Sequence, residues 1–348
     1  MKSIFISNLN NLGDVICSTA GLELLRTRFP DARIGLMIKG DAEGVMRGHP
    51  LVDDLYVYKY KSGSSLSSLR DMAAKIRSHR YEVYLSLDRK PRSLAVAMLA
   101  GIRNRIVPDR LHLSTTPKWW MPLLFKKVIR YPHNPFRCLV EQFEDPVRKA
   151  FGIEGKGTTS IPPRTQGQRD NAARLLAPAG EKKVIGFSVK ANAMVKNWPA
   201  ERFAELMDRL EEKYSPFQYI TGAPGDADYI DDLIRLCRTA KPANFAGKTS
   251  LMDTAALADR SDLFVTLDTG AVHVAGNSEL KNLICIFTAT IPEGVLRSAG
   301  QANVFWSGEP CCPCASCPHP YGEAPCQTKI GVDAVFAEAV RLLEGGRA

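Results

Sequence analysis

The sequence predicts an α/β protein of two Rossmann-like, doubly wound domains that face each other across a cleft. Three observations support this prediction. The chain has 348 residues, which is too long for one ordinary hydrophobic core and suits two domains. Short apolar segments alternate with segments of helical apolar spacing, a pattern typical of parallel sheets covered on both faces. This alternation occurs twice, before and after the stretch Gly152–Gln168.

The first predicted domain covers residues 1–160. Its strands are expected at Ser3–Ser7, Arg33–Ile38, Asp53–Tyr58 and Val83–Leu87, and its helices at Asp14–Phe29, Ser64–Ser78, Ser93–Ala100 and Phe136–Phe151. Leu111–Pro135 interrupts the order of strand and helix and contains two adjacent tryptophans. Gly152–Gln168 is rich in Gly, Pro and Thr, so we expect the interdomain linker there.

The second predicted domain covers residues 161–348. Its strands are expected at Lys183–Val189, Gln218–Thr221, Asn244–Phe245, Leu263–Leu267 and Leu283–Phe287, and its helices at Ala200–Lys213, Asp226–Arg238, Met252–Asp259, Gly270–Asn277 and Asp333–Leu343. In doubly wound sheets, ligands bind beyond the carboxyl ends of the strands. The cleft between the two domains is therefore the expected site.

The composition indicates a globular protein and favours certain classes of partner. The chain is 45% hydrophobic and 24% charged, which is typical of globular proteins. It has neither an apolar run that spans a bilayer nor the apolar start of a secretory signal, so a cytoplasmic protein is expected. The net charge of +9 favours an acidic partner, namely nucleic acid, an anionic membrane or a phosphorylated substrate. Because basic residues are not interleaved with aromatics in one run, no nucleic acid is expected as a partner.

The first candidate segment, Asn11–Val15, joins the first strand to the first helix. Gly13 suits a tight turn, and Asp14 is expected to begin the helix. One interpretation of Asp14 is a plain helix cap. The other is a general base at the edge of the cleft, since the helix dipole favours the ionised carboxylate. No GxGxxG follows this strand, which argues against a dinucleotide site and an NAD-dependent oxidoreductase.

Two further segments belong to the second domain. In Thr266–His273, the amides of Gly270 and Ala271 and the Thr269 hydroxyl form a candidate diphosphate site at a helix start. Asp268 is placed to bind sugar hydroxyls, and His273 follows one turn into the helix, where a structural role is the alternative. Lys196, in Lys196–Pro199, is a candidate for stabilising a departing diphosphate, with a solvated surface lysine as the alternative.

Together these segments resemble glycosyltransferase family 9, the ADP-heptose:lipopolysaccharide heptosyltransferases, which have the two-domain GT-B fold. The resemblance covers nearly the whole chain, in the order and at the separations typical of the family. The matching stretches are Leu12–Ile16, Leu25-Arg26 with Arg28–Pro30, Lys196–Phe203, Ala246–Leu251, and Asp268–Gly270 with His273.

The resemblance implies an inverting, metal-independent transfer, with the acceptor in the first domain and the nucleotide sugar in the second. It implies that Asp14 is the general base, that Lys196 neutralises phosphate, and that Thr269 and Gly270 hold the diphosphate beside Asp268. The stretch Lys190–Ala193 departs from the family pattern, with Lys190 or Asn192 as substitute donors of hydrogen bonds. The donor is therefore ADP-heptose or another nucleotide sugar, and a protein acceptor and a non-catalytic, membrane-associated scaffold stay as alternatives.

Basic residues in the first domain suit an acidic, lipid-linked glycan acceptor. Arg89, Lys90 and Arg92 follow the fourth strand, and Asn11 in the first loop is counted with them as acceptor-binding. Lys118–Lys127 places aromatic and aliphatic residues between lysines, so it is either an interfacial anchor on the cytoplasmic face of the inner membrane or a buried tryptophan pair.

A cysteine-rich segment precedes the last helix. Cys311, Cys314, Cys317 and Cys326 have the spacing C-x2-C-x2-C-x8-C, which suits structural zinc or iron, while free thiols and a disulfide are the alternatives. No cofactor is expected in catalysis. Asp226-Ala227-Asp228 matches the D-x-D of metal-dependent glycosyltransferases, but its position at a helix start predicts helix capping instead.

Overall fold

The computed structural model describes residues 1–59, 66–88, 90–108, 125–129, 138–292, 302–314 and 317–345. The chain divides into two compact units, Met1–Pro162 and Pro163–Ala348. Each unit is built around its own parallel sheet of six strands, so the predicted α/β class is confirmed. Among the described residues, no helix combines the length and the hydropathy that a membrane crossing requires.

The sheet of the first unit has the order β3-β2-β1-β4-β5-β6, and all its strand pairs are parallel. Its strands are β1 Ser3–Asn8, β2 Arg33–Lys39, β3 Asp54–Tyr58, β4 Val83–Ser86, β5 Asn104–Pro108 and β6 Lys127–Ile129. Its helices are α1 Leu12–Arg28, α2 Leu66–Arg77, α3 Pro91–Leu99 and α4 Leu139–Phe151. All six residues of β1 are buried, as expected for a central strand covered on both faces.

The second unit repeats this plan. Its sheet has the order β12-β11-β10-β7-β8-β9, again with parallel pairs only. The strands are β7 Val184–Ser188, β8 Phe217–Ile220, β9 Ala243–Asn244, β10 Leu263–Leu267, β11 Leu283–Phe287 and β12 Ala302–Trp306. The helices are α5 Gln166–Leu176, α6 Ala200–Tyr214, α7 Ala227–Leu236, α8 Leu251–Ala258, α9 Gly270–Gly276, α10 Pro325–Thr328 and α11 Val332–Leu343. Apolar residues of β7 and β10 form the centre of the core beneath α6 and α11.

The predicted linker is structured at both ends. Gly157 N–H donates to the buried Glu144 carboxylate (2.7 Å), and Ser160 N–H donates to Thr19 Oγ1 on α1 (2.9 Å). A Cβ at Gly157 would overlap the backbone of Ala20, so only glycine allows this close approach. The far end of the segment enters α5, which Thr165 caps by accepting a hydrogen bond from Gln168 N–H. The division between the two units, after Pro162, falls within the stretch Gly152–Gln168 where the linker is predicted.

Several boundaries also differ from the prediction. Strands β5, β6 and β12 were not predicted, because β6 has only three residues and neither β5 nor β12 is a continuous apolar run. Helix α1 begins at Leu12 with Asn11 as its cap, so Asp14 lies in the first turn rather than before it.

Most of Lys118–Lys127, the predicted interfacial anchor, lies outside the described residues. Phe125 is buried in the core of the first unit, so it is not available as an interfacial anchor.

Candidate functional site

In each unit the sheet has one point where the strand order reverses. This switch point lies between β1 and β4 in the first unit and between β7 and β10 in the second. Connections leave these strands to opposite faces, which opens a crevice at their carboxyl ends. The predicted residues Asp14 and Lys90 follow the first pair of strands, and Lys196 and Asp268 follow the second pair. Each unit therefore presents one group of candidate residues.

Asp88 organises the crevice of the first unit. It is 1% exposed, and its carboxylate accepts hydrogen bonds from Leu9 N–H (2.9 Å), Lys90 N–H (3.0 Å) and the Ser93 hydroxyl (2.8 Å). Burial raises the pKa of Asp88, and these hydrogen bonds oppose that effect. The carboxylate thereby ties the loop after β1 to the loop after β4. Sequence analysis did not identify Asp88, although its position just after a central strand was a usable signal.

The structure brings Asp14, Asn11 and Lys90 together with a residue that sequence analysis missed, Lys39. Asp14 Oδ2 accepts a hydrogen bond from Asn11 N–H (3.0 Å), and Asn11 Oδ1 accepts one from Lys39 Nζ (3.2 Å). Lys90 Nζ donates to the Leu9 carbonyl. Burial lowers the pKa of Lys90, and the positive charge of Lys39 adds to this effect.

Of the other two basic residues predicted to bind the acceptor, Arg92 is described by the structure and Arg89 is not. The Arg92 guanidinium lies 5.8 Å from the centroid of the Tyr58 ring, at the end of β3, which is a cation–π distance. It therefore reaches across the carboxyl edge of the sheet from the start of α3. Arg89 lies outside the described residues.

We predict that Asp88→Asn destabilises the first unit. The amide oxygen can replace one carboxylate oxygen, but the NH₂ group then faces an N–H donor in a buried place. The expected loss is about 1–3 kcal/mol of the free energy of unfolding. Ser93→Ala, which removes one hydrogen bond, is the matched control with an expected loss of about 1 kcal/mol. Urea unfolding of the full chain measures both, and equal stability of Asp88→Asn and the original protein would contradict this account.

In the second unit, Lys196 and Asp268 form an ion pair. Lys196 Nζ lies 2.7 Å from Asp268 Oδ2, and the same oxygen accepts a hydrogen bond from the Thr290 hydroxyl (2.6 Å). The Lys196 side chain is 31% exposed and the Asp268 side chain 9%. Sequence analysis placed Lys196 and Asp268 in one site but gave no sign that they bind each other, and it missed Thr290. The ion pair holds the Lys196 ammonium in a defined place, while part of the Lys196 side chain stays exposed to solvent.

The start of α9 differs in one respect from the prediction. Thr269 Oγ1 accepts a hydrogen bond from Ala271 N–H (3.2 Å), which caps the helix. The prediction that the Ala271 amide is free to bind a diphosphate is therefore wrong, because this N–H has a partner within the chain.

His273 is 4% exposed, and burial lowers its pKa to about 4. The neighbouring Asp268 carboxylate opposes that shift.

We predict that the buried, neutral His273 makes the protein less stable in acid. In the unfolded chain a histidine has a pKa of about 6.5. As pH falls from about 6.5 towards 4, the unfolded chain binds a proton that folded His273 does not bind, so stability falls. The buried His49, whose pKa burial also lowers, contributes with the same sign.

Thermal unfolding between pH 4 and pH 8 measures this loss. His273→Gln is expected to flatten the pH dependence, whereas His319→Gln, at an exposed position, is the matched control and is expected to leave it unchanged. Equal slopes for His273→Gln and the original protein would show that protonation of His273 does not contribute.

Neighbouring loops of the second unit hold a second ion pair. Lys190 Nζ lies 2.8 Å from Asp226 Oδ1 and 5.4 Å from the centroid of the Tyr229 ring. Asp226 Oδ2 also accepts a hydrogen bond from Ala223 N–H (2.9 Å) just before α7. Asp226 thus binds a lysine and the backbone, in agreement with its interpretation as a capping residue. Asn192 lies exposed on the loop that carries Lys196.

The segment with the cysteines supports the Lys196 loop. Gln327 Nε2 donates to the Asn197 carbonyl (2.7 Å), and the Tyr321 hydroxyl donates to the Trp198 carbonyl (3.2 Å). A cavity of about 270 Å³ lies between this segment and the loop, and its lining residues are Ala193, Met194, Val195, Cys317, His319, Pro320, Tyr321, Ala324 and Gln327.

The cysteines do not form the predicted metal site. Cys311, Cys314, Cys317 and Cys326 are all described, but in the described part of the chain no group of three or more His, Cys, Asp or Glu side chains is arranged to hold a metal ion. They form no disulfide, and burial raises the pKa of the Cys326 thiol to about 11. Of the three alternatives, the arrangement supports free thiols.

Comparison with known proteins identifies the family. The model of glycosyltransferase family 9 (heptosyltransferase) matches residues 69–324. Lipopolysaccharide heptosyltransferase 3 of Escherichia coli strain K12 is 22% identical over 303 residues, which are 85% of either chain.

Two solved structures are similar in fold. The family 9 glycosyltransferase of Veillonella parvula DSM 2008 has a TM-score of 0.84 at 22% identity, with 99% of this chain and 97% of that chain covered. The E. coli ADP-heptose lipopolysaccharide heptosyltransferase II has a TM-score of 0.78 at 20% identity, with 99% of both chains covered. The likeness shows the GT-B fold. Since the family model matches most of the chain, this protein belongs to glycosyltransferase family 9, the heptosyltransferase family, and is a glycosyltransferase.

Proposed function

We propose that this protein transfers heptose from ADP-heptose to an anionic, lipid-linked glycan of the lipopolysaccharide inner core. The observation that supports this most is the ion pair of Lys196 with Asp268 at the switch point of the second unit, in a chain of the heptosyltransferase family. Lys196 offers a positive charge to a diphosphate, which we also assign to Thr269 and Gly270, and Asp268 offers oxygens to sugar hydroxyls. We assign Asn192, Gly270 and His273 to the same donor site.

In the proposed reaction, Asp14 takes the proton from an acceptor hydroxyl. The hydroxyl oxygen attacks the anomeric carbon of the donor, and the bond from that carbon to the diphosphate oxygen breaks. The electron pair leaves with ADP, whose growing negative charge Lys196 stabilises. Attack from the side opposite the leaving group inverts the anomeric configuration. No metal ion takes part in these steps, because Lys196 supplies the charge that a divalent cation supplies elsewhere.

We assign acceptor binding to the first unit, with Asn11, Lys90 and Arg92 around Asp14. Their positive charges suit a glycan that carries carboxylates or phosphates. Because such a core is attached to lipid, we propose that the protein works at the cytoplasmic face of the inner membrane as a peripheral protein. The net charge of +9 favours contact with anionic lipid there.

The test is transfer by the purified protein from ADP-heptose to a core glycan prepared without heptose. We expect a product with one added heptose, with the anomeric configuration opposite to that of the donor in its NMR spectrum, at a rate that EDTA leaves unchanged. Transfer from a UDP- or GDP-sugar instead would keep the reaction type but replace the proposed donor. A configuration equal to that of the donor would overturn the inverting mechanism.

A further inference from the structure

The residues that follow β11 contact both loops that supply the ion pair of the second unit. The Thr290 hydroxyl donates a hydrogen bond to Asp268 Oδ2 (2.6 Å). The Thr288 hydroxyl donates one to the Val195 carbonyl (2.8 Å), which belongs to the residue before Lys196. Strand β10 lies between β11 and β7, so Thr288 reaches past β10 to the loop that follows β7. One strand end therefore binds the carboxylate of the pair and the backbone that carries its lysine.

The cysteine-rich segment holds this strand end in place. The Cys312 thiol donates to the Thr288 carbonyl (3.1 Å), and Cys314 N–H donates to the Ala289 carbonyl (3.0 Å). Thr288 and Ala289 are both buried. Because the backbone beneath the Thr288 hydroxyl is buried and hydrogen-bonded, the direction of that hydroxyl is set by packing rather than by solvent.

The two donors that bind the Asp268 carboxylate share one of its oxygens. Lys196 Nζ (2.7 Å) and the Thr290 hydroxyl both donate to Oδ2, and in the described part of the chain no group donates to Oδ1. A lysine alone would orient the carboxylate poorly, since its ammonium is a point charge on a flexible stem. With the Thr290 hydroxyl added, the carboxylate has a defined orientation, and Oδ1 is left for a ligand.

We infer that Thr288 and Thr290 are positioning residues of the transfer reaction. Thr290 orients the Asp268 carboxylate so that its second oxygen is available to a hydroxyl of the donor sugar. Thr288 fixes the backbone of Lys196, so that the ammonium is in place when the diphosphate leaves. Each threonine acts through another residue and not on the reacting atoms. This inference rests on the proposed function.

Replacing each threonine by valine tests the inference, because valine has a similar shape and lacks the hydroxyl. For Thr290→Val and for Thr288→Val we expect kcat of heptose transfer to fall about tenfold, since a loosely held charge stabilises the transition state less than a fixed one. The serine variants Thr290→Ser and Thr288→Ser keep the hydroxyl and are expected to restore most of the rate. Thr254→Val is the matched control and is expected to keep the original kcat, because it removes a buried hydroxyl of α8 that donates to the Ser250 carbonyl (3.2 Å).

Double-mutant cycles, measured by single-turnover transfer, separate positioning from a general effect on the fold. Thr290→Val is combined with Asp268→Ala, and Thr288→Val with Lys196→Met. If each threonine acts through its partner, the valine substitution is expected to change the rate of the partner variant by less than about twofold. A further fall of about tenfold in these backgrounds would show that the effects are independent, and it would overturn the inference.

Three other results would also overturn the inference. They are an original kcat in both valine variants, serine variants as slow as the valine variants, and an equal loss of rate in Thr254→Val. If the original protein transfers no heptose, the proposed function fails and this inference fails with it. Transfer that is indifferent to both hydroxyls contradicts only this inference.

Discussion

Replacement of Asp14 by asparagine is expected to lower kcat by about a thousandfold, because general base catalysis typically contributes factors of 10² to 10⁴. The amide oxygen of asparagine can still accept the hydrogen bond that Asp14 Oδ2 accepts from Asn11 N–H (3.0 Å). The first turn of α1 is therefore expected to keep its structure. What the variant loses is the ability to take a proton from the acceptor hydroxyl.

Two measurements separate this effect from a general loss of function. Calorimetric titration with ADP is expected to give the same Kd for Asp14→Asn and for the original protein, since donor binding is assigned to the second unit. Glu23→Gln removes a carboxylate from the same helix, where it accepts a hydrogen bond from Thr158 N–H, and is expected to keep full activity. A kcat for Asp14→Asn within tenfold of the original value would rule out Asp14 as the base.

The sheets could be predicted because their central strands are local features of the sequence. Ile4, Phe5 and Ile6 of β1 form a continuous apolar run, as a strand covered on both faces requires. The short strands β5 and β6 at the edge of the first sheet have no such run. Lys127, the first residue of β6, donates to the Ala150 carbonyl at the end of α4 (3.4 Å), a tertiary contact with no local signal.

In the candidate site, too, some residues could be found from local sequence patterns, and others depend on tertiary contacts. Asp14, Lys196 and Asp268 were predictable because each lies between the end of a strand and the first turn of the helix that follows it. Lys39 and Thr290 were not, because their importance depends on which strands are neighbours. Lys39 meets Asn11 only because β2 pairs with β1, and Thr290 meets Asp268 because β11 pairs with β10. Once a doubly wound order is assumed, polar residues at the ends of neighbouring strands become candidates.

The predicted metal site shows where spacing alone misleads. The spacing of Cys311, Cys314, Cys317 and Cys326 satisfies a sequence pattern for metal binding, and Cys311, Cys314 and Cys317 lie near enough to add to the effect of burial in raising the pKa of the Cys326 thiol. Among the described residues, however, no three or more His, Cys, Asp or Glu side chains are arranged to hold a metal ion. Cys312, the residue outside that pattern, is instead buried with Cys326 against Ala324, and its thiol donates to the Thr288 carbonyl (3.1 Å). Packing and hydrogen bonding therefore account for the burial of these two thiols.

Lys196→Met is expected to have the second large effect, with kcat lowered about a hundredfold to a thousandfold. Loss of one preorganised charge at a leaving group typically has this magnitude. The variant also leaves the Asp268 carboxylate, 9% exposed, with the Thr290 hydroxyl but without its lysine. An uncompensated, mostly buried carboxylate is expected to lower the free energy of unfolding by about 2 kcal/mol.

The double variant Lys196→Met/Asp268→Asn separates catalysis from stability. With both charges removed, the penalty for the unpaired carboxylate disappears, so the free energy of unfolding is expected to return close to the original value. The rate is not expected to return, because the ammonium that stabilises departing ADP is still missing. Urea unfolding and single-turnover transfer on the same preparations measure the two quantities. If activity returns together with stability, neither charge of the pair is needed for transfer, and the assignment of phosphate stabilisation to Lys196 is wrong.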